Sequence, residues 1–158
     1  MESTAAHEHA HELQALESLL LAEHTLARHG FPPPIFAQRY TLMQPLGRGA
    51  RGMVWRARDG KMNRDIALKL YPYHEGDRLV DEVTREAQAL ARLRHPAVVQ
   101  VFDFGHGAFA GNGRECLYVA MECLEGQPLR SWLAEPRSAQ AILLVFIRAG
   151  EGLFAAHQ

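Results

Sequence analysis

The chain has 158 residues, 47% of them hydrophobic and 22% charged, which is enough for one soluble domain with a core of its own. A net charge of −1 gives no electrostatic basis for binding nucleic acid or an anionic membrane. No run approaches the roughly 20 apolar residues of a membrane helix, and the N-terminus lacks a basic-then-apolar leader.

In chain order, residues 1–30 read as an N-terminal helical extension. Leu13, Leu16, Leu20 and Ala27 recur at helical spacing, and Gly30 is a natural stop. Within it His7, Glu8 and His11 satisfy H-E-x-x-H, a zinc-protease pattern when it lies on a helix beside a core. Here it opens the chain with no core before it, so a polar helix start is the expected meaning. Residues 31–37 contain Pro32, Pro33 and Pro34, which forbid helix and favour an extended, stiff linker.

From Tyr40 to Tyr71 the pattern predicts three strands. Tyr40, Leu42 and Leu46 form a loose first alternation. Met53 to Arg58 alternates apolar with basic, Asp59-Gly60 turns, and Asp65 to Tyr71 is the third strand. On it Ile66, Leu68 and Leu70 share one face and Ala67 and Lys69 the other. Between the first two strands lies Gly47-Arg48-Gly49-Ala50-Arg51-Gly52-Met53-Val54, a G-x-G-x-x-G-x-V. Glycines let backbone N–H groups approach phosphate oxygens, and a lysine one strand away can add a point charge. A Rossmann site would need a helix after the glycines and an acid about 20 residues on. Strand residues follow instead. A Walker A loop would need Gly-Lys-Ser/Thr, which is absent.

Asp77 to Arg94 predicts a helix with Asp77 as N-cap. Leu79, Val83, Leu90 and Leu93 cluster on one face, with Glu86 inside the apolar stripe. A carboxylate facing a core is costly unless paired, so Glu86 is expected to pair with Lys69. The alternative is that Glu86 reaches solvent at the edge of the stripe. Glu82 and Arg85 fall off it and are expected to be solvated. His95-Pro96 ends the helix. A fourth strand over Val98–Gly105, a Gly111-Asn112-Gly113 turn and a fifth strand over Glu115–Cys123 follow. Cys116 and Cys123 lie on that one strand, roughly 20 Å apart when extended and too far to pair. A reduced, cytoplasmic protein is expected. Pro128 to Ala134 predicts a short helix. Ser138 can cap a last one running to about His157, whose apolar run Ala141–Ile147 belongs inside a larger core.

Leu46 to Val54, Ile66-Ala67-Leu68-Lys69, Arg85-Glu86, Leu93 to Val99 and Tyr118 to Glu122, in that order, resemble the N-terminal half of a protein kinase domain of the bacterial Ser/Thr type over residues 38–158. The resemblance implies an α+β fold: a five-stranded antiparallel sheet with helix C in an ATP-binding lobe over 38–124, followed by the first helices of a truncated C-terminal lobe over 125–158. It implies that the loop Gly47, Arg48, Gly49, Ala50 and Gly52 covers the ATP phosphates, that Lys69 holds the α- and β-phosphates, and that Glu86 positions Lys69. Leu46, Val54 and Ala67 would roof the adenine, Met121 would be the gatekeeper, and backbone groups of Glu122 and Leu124 would meet the adenine edge.

Asp103-Phe104-Gly105 reads like the kinase metal-binding triplet, but no His-Arg-Asp loop precedes it, so it is expected to be structural. The Mg²⁺ ligands and the catalytic base therefore do not occur in residues 1–158. Two functions remain open. One is the ATP-binding part of a Ser/Thr kinase acting on protein substrates, inactive as this chain alone. The other is a non-catalytic nucleotide- or partner-binding module. Exposure of the last helix is expected to cause self-association.

Overall fold

The computed structural model describes residues 2–73 and 78–157. Its elements are α1 (Glu2–Ala27), β1 (Ile35–Phe36), β2 (Tyr40–Arg48), β3 (Met53–Asp59), β4 (Arg64–Pro72), α2 (Arg78–Arg92), β5 (Val101–Ala108), β6 (Glu115–Met121), α3 (Leu129–Leu133) and α4 (Ala139–Ala156). The six strands form one antiparallel sheet in the order β1-β2-β3-β4-β6-β5.

The sheet has one strand more than the five expected, and the extra strand lies within the predicted linker. The prolines deliver the chain extended, so Ile35 and Phe36 fall into register with Thr41 and Tyr40. Ala37 and Gln38 make the intervening turn at φ of 50° and 53°. Phe36 is fully buried, and its ring meets Phe109 edge-on at 5.0 Å. Phe36 also bridges Phe109 through the backbone, the Ala37 N–H donates to the Ala108 carbonyl and the Ala110 N–H donates to the Ile35 carbonyl. The first and last strands in the sheet order thus meet, and the sheet curls into a nearly closed ring at that end.

Each face of the sheet has its own apolar cluster. On one face, Tyr40, Leu42, Trp55, Ile66, Leu68 and Leu70 pack under Leu16 and Leu20 of α1. On the other, Tyr71, Val101, Leu117 and Val119 pack under Leu79, Val83 and Ala87 of α2. The alternation read from β4 is thereby realised: Ile66, Leu68 and Leu70 face α1, while Ala67 and Lys69 lie on the α2 side. The expected N-cap Asp77 lies outside the described residues.

A polar knot ties β2, β3 and β5 together on the α1 side. The Arg39 guanidinium donates to both Asp59 carboxylate oxygens at 2.9 and 2.8 Å and to Asp103 at 2.6 Å. The Tyr40 and Tyr118 hydroxyls also donate to Asp103. Asp59 is 1% exposed and further accepts the N–H groups of Lys61 and Met62 in the β3–β4 turn. A buried carboxylate needs this many donors to remain charged.

Ser138 caps α4 as expected, its Oγ accepting the Ala141 N–H at 3.2 Å. The helix touches the first lobe through Gly152, where a Cβ would lie 2.9 Å from the Ala97 carbonyl oxygen. Its other side is bare: Leu143, Leu144, Phe146, Ile147, Leu153 and Phe154 are exposed. By length and composition alone α4, over Ala139–Ala156, is long and apolar enough to cross a membrane, which corrects the reading that no run approaches that length. The Gly152 contact and the Ser138 cap also fit a helix built for a protein core.

Candidate nucleotide site

The glycine-rich loop joins β2 to β3. β2 carries register shifts between Leu42 and Gln44 and between Pro45 and Gly47. Pro45 has no N–H to give a ladder, and the strand twists more strongly at such irregularities. The Gly49 N–H donates to the Gly52 carbonyl at 2.8 Å and closes the loop on itself. Gly52 is buried, and a Cβ there would stand 2.5 Å from the Leu70 carbonyl oxygen, so only glycine lets the loop lie this close to β4.

Cross-strand register assembles the rest. Val54 lies opposite Lys69, and Lys69 opposite Val119; Ala67 lies opposite Met121. Residues paired across a sheet point to the same face, so Val54, Ala67, Lys69 and Met121 share one side. Leu46 is exposed at the loop root and Leu124 beyond the end of β6. The Glu122 N–H already donates to the Gln100 carbonyl at 2.9 Å. That bond leaves the Glu122 carbonyl as its backbone group for a ligand edge.

The expected Lys69–Glu86 ion pair is not formed. Lys69 is half-buried, with Nζ 4.9 Å from the centroid of the Tyr71 ring. Glu86 is exposed, with no ion pair among the described residues. The physical reason is helix phase. Ala87 is 1% exposed and lets α2 approach the sheet closely, so the contact face centres on Val83 and Ala87 and leaves Glu86 at the margin. Glu82, one turn earlier and expected to be merely solvated, instead forms an ion pair with Arg51 of the glycine-rich loop.

Asp103 lies on the opposite face of the sheet from Lys69, since it pairs in register with Ala120 while Phe104 pairs with Val119. Its carboxylate belongs to the Arg39 knot, which agrees with a structural role for Asp103-Phe104-Gly105. Among the described residues no group of three or more His, Cys, Asp or Glu is placed to hold a metal ion. His9, within the H-E-x-x-H segment, contacts the Arg51 carbonyl oxygen instead. The hydroxyls of Tyr40 and Tyr118 are both pushed up by burial, so they remain protonated donors to Asp103.

Sequence reasoning missed the contacts from α1 to the loop. Glu17 pairs with Arg48, and His9 Nε2 lies 3.1 Å from the Arg51 carbonyl oxygen. The Glu17–Arg48 pair offered only opposite charges, which are too common to single out, and the His9 contact to a backbone carbonyl offered no signal.

A curled antiparallel sheet with one helix on the face of its central lysine, a glycine-rich loop joining β2 to β3 and helices following the sixth strand is the architecture of a kinase N-terminal lobe with part of the second lobe. The family model described as the protein kinase domain matches residues 40–157, and the chain belongs to that family. It is similar to the serine/threonine-protein kinase PknA of Mycobacterium tuberculosis, 33% identical over 97 residues, covering 60% of this chain and 22% of PknA. The DNA damage-responsive serine/threonine-protein kinase RqkA of Deinococcus radiodurans is 39% identical over 100 residues, covering 62% of this chain and 14% of RqkA. Among solved structures, the kinase domain of M. tuberculosis PknI superposes with a TM-score of 0.62 at 27% identity, covering 81% of this chain and 51% of that one. The chain therefore spans about half of that kinase domain and a smaller share of the two curated relatives.

Proposed function

We propose that residues 40–157 are the ATP-binding part of a serine/threonine protein kinase that passes the γ-phosphate of ATP to protein Ser or Thr. The observation that carries this reading is the row Val54–Lys69–Val119 beside Ala67–Met121, with the glycine-rich loop rooted directly at Val54. It sets one cation among small and apolar side chains, next to a glycine-rich loop. Lys69 takes the α- and β-phosphates. Leu46, Val54 and Ala67 cover the adenine, Met121 closes its back, and the Glu122 carbonyl and Leu124 N–H meet its edge. The loop Gly47, Arg48, Gly49, Ala50 and Gly52 covers the phosphates. Glu86 reaches Lys69 when α2 rotates about its axis.

Mg²⁺, when bound in such enzymes, neutralises charge on the β- and γ-phosphates. Among the described residues no group of three or more His, Cys, Asp or Glu is placed to hold it. Residues 1–158 alone are expected to bind ATP weakly and to transfer nothing measurable, because loss of a general base by itself costs about 10²–10⁴-fold. A cytoplasmic location and a protein substrate belong to the same proposal, as does self-association through the exposed face of α4.

The test is equilibrium binding of labelled ATP to residues 1–158, beside incorporation into a generic protein substrate. Binding that weakens in Lys69→Met, with no incorporation, is the expected result. Incorporation lost in Lys69→Met would show the chain to be an enzyme by itself. A second reading, a non-catalytic nucleotide- or partner-binding module, is favoured by the position of Glu86 in solvent and of Lys69 against Tyr71. ATP binding indifferent to Lys69→Met, or absent, would select it.

A further inference from the structure

Helix α1 precedes the family match, which starts at residue 40, yet it makes contacts that bear on the nucleotide site. Gly47 and Arg48 at the root of the loop pair with Val54 and Met53, and Gly52 lies against β4, but the tip between them has little packing to hold it. Residues 43–51 are all exposed, and the Gly49–Gly52 hydrogen bond is internal to the loop. A cavity of about 140 Å³ between Leu21 and Trp55 on one side and Pro45 and Gly47 on the other separates α1 from the loop root, so close packing does not fix it there. Glycine-rich segments also have the most backbone freedom to lose on ordering. Beyond the ladder, the loop is held by a set of polar tethers to its two arginines. Arg48 pairs with Glu17 of α1, the Arg51 carbonyl oxygen meets His9 Nε2 of α1, and the Arg51 guanidinium pairs with Glu82 of α2. Because a carbonyl only accepts, His9 Nε2 carries the hydrogen.

A tether restrains only as firmly as its far end is anchored. α1 is anchored by Leu13, Leu16 and Leu20, each 1% exposed or less, and by His24 edge-on to Trp55 at 5.6 Å. Trp55 lies on β3, the strand that leaves the loop and carries Val54. Anchor and loop therefore share one rigid sheet.

We propose that α1 is an intramolecular brace for the glycine-rich loop, with Glu17 and His9 as positioning residues that fix the place of the loop from the face of the sheet opposite Lys69. The part that concerns nucleotide rests on the ATP-binding reading above; the restraint on the loop does not. With the brace intact, the loop moves little and nucleotide leaves slowly. Release of α1, by charge loss at Glu17 or by a partner that takes up this end of the helix, raises loop mobility and speeds exchange of nucleotide. α1 would thereby tune the site without touching the ligand.

The experiment uses the full chain with Glu17→Arg, His9→Ala, and the charge swap Glu17→Arg with Arg48→Glu. Amide hydrogen exchange over residues 47–52 reports the loop, and the dissociation rate of a fluorescent ATP analogue reports the site. Melting temperature confirms that the fold persists. An ion pair this exposed supports an increase of about two- to fivefold in loop exchange and in dissociation rate for Glu17→Arg. His9→Ala should act in the same direction by a few-fold, and the charge swap should return both rates toward wild type. Loop exchange unchanged in Glu17→Arg and His9→Ala would overturn the brace. Faster loop exchange with an unchanged dissociation rate would overturn the positioning role. If wild type binds no analogue, the ATP-binding reading and the positioning role both fail, while loop exchange still decides whether the brace exists.

Discussion

Leu16→Ala tests whether α1 belongs to the folded unit. Leu16 is fully buried beneath the β2–β3–β4 face, in one cluster with Trp55, Leu68 and Leu70. Removing three carbons from water-free surroundings costs about 2.4 kcal/mol at ~0.8 kcal/mol per buried group. The sheet beneath cannot follow a receding side chain, because its strands are fixed by ladders on both sides. Residual cavity volume then adds about 1 kcal/mol or more at ~24 cal/mol per Å³. The sum is about 3 to 4 kcal/mol, a large part of the ~5–15 kcal/mol that stabilises a typical domain. Urea denaturation followed by tryptophan fluorescence is suited to the measurement, since Trp55 lies in the affected cluster. With a denaturant slope of about 2 kcal/mol per M, the midpoint should fall by about 1.5 to 2 M. Leu21→Ala, 40% exposed on the same helix, should change stability by no more than about 0.5 kcal/mol. Equal, small effects of the two substitutions would mean that α1 does not dock and would also remove the anchor on which the loop brace depends.

The remaining predictions concern the knot, the α4 contact and the thiols. Hydrogen bonds from Arg39 hold the Asp59 carboxyl below its ordinary range, so the folded state binds that proton less tightly than the unfolded one. The stabilisation is complete above the unfolded value of about 3.9 and is lost as pH falls through the folded value. Arg39→Met should flatten this acid limb in denaturation measured from pH 7 to pH 3, and identical limbs for variant and wild type would contradict the assignment. Gly152→Ala should destabilise α4 by about 1–3 kcal/mol through overpacking against Ala97, seen as faster amide exchange in residues 139–156; unchanged exchange there would mean that the helix does not rest on that turn. Burial pushes the Cys116 thiol up to about 12, whereas Cys123 is half-buried. A maleimide at pH 8 should therefore label Cys123 in the native protein and Cys116 only after unfolding, and equal native labelling would refute the packing around β6.

Much of the lobe was legible because its signals are local. Alternation in Met53–Arg58 and in β4, the Ser138 cap and the Gly113 turn each depend on residues a few positions apart. β1 was not legible, since two residues after three prolines carry no periodicity of their own. They become a strand only when Phe36 finds Phe109, 73 positions away along the chain. The position of Glu86 failed for a different reason. The apolar residues of α2 define an arc, and Glu86 stands at its edge; the small Ala87 decided which part of the arc touches the sheet. The site residues on strands were placed by register, which alternation and turn positions encode. The tethers from Glu17 and Glu82 to the loop arginines and from His9 to the Arg51 carbonyl span 31 to 42 positions, a pairing that no pattern in one sequence distinguishes from many others.

The meeting of β1 with the end of β5 also limits how two copies of the chain could stick together. A strand edge with unused N–H and C=O groups is a template on which another chain can add. At this end the outermost strands spend those groups on each other, through the Ala37–Ala108 and Ala110–Ile35 hydrogen bonds. Any association of folded copies would thereby be steered away from strand addition there and toward the bare side of α4. That favours a contact that detergent or a covering protein surface can reverse over one that grows as a fibre.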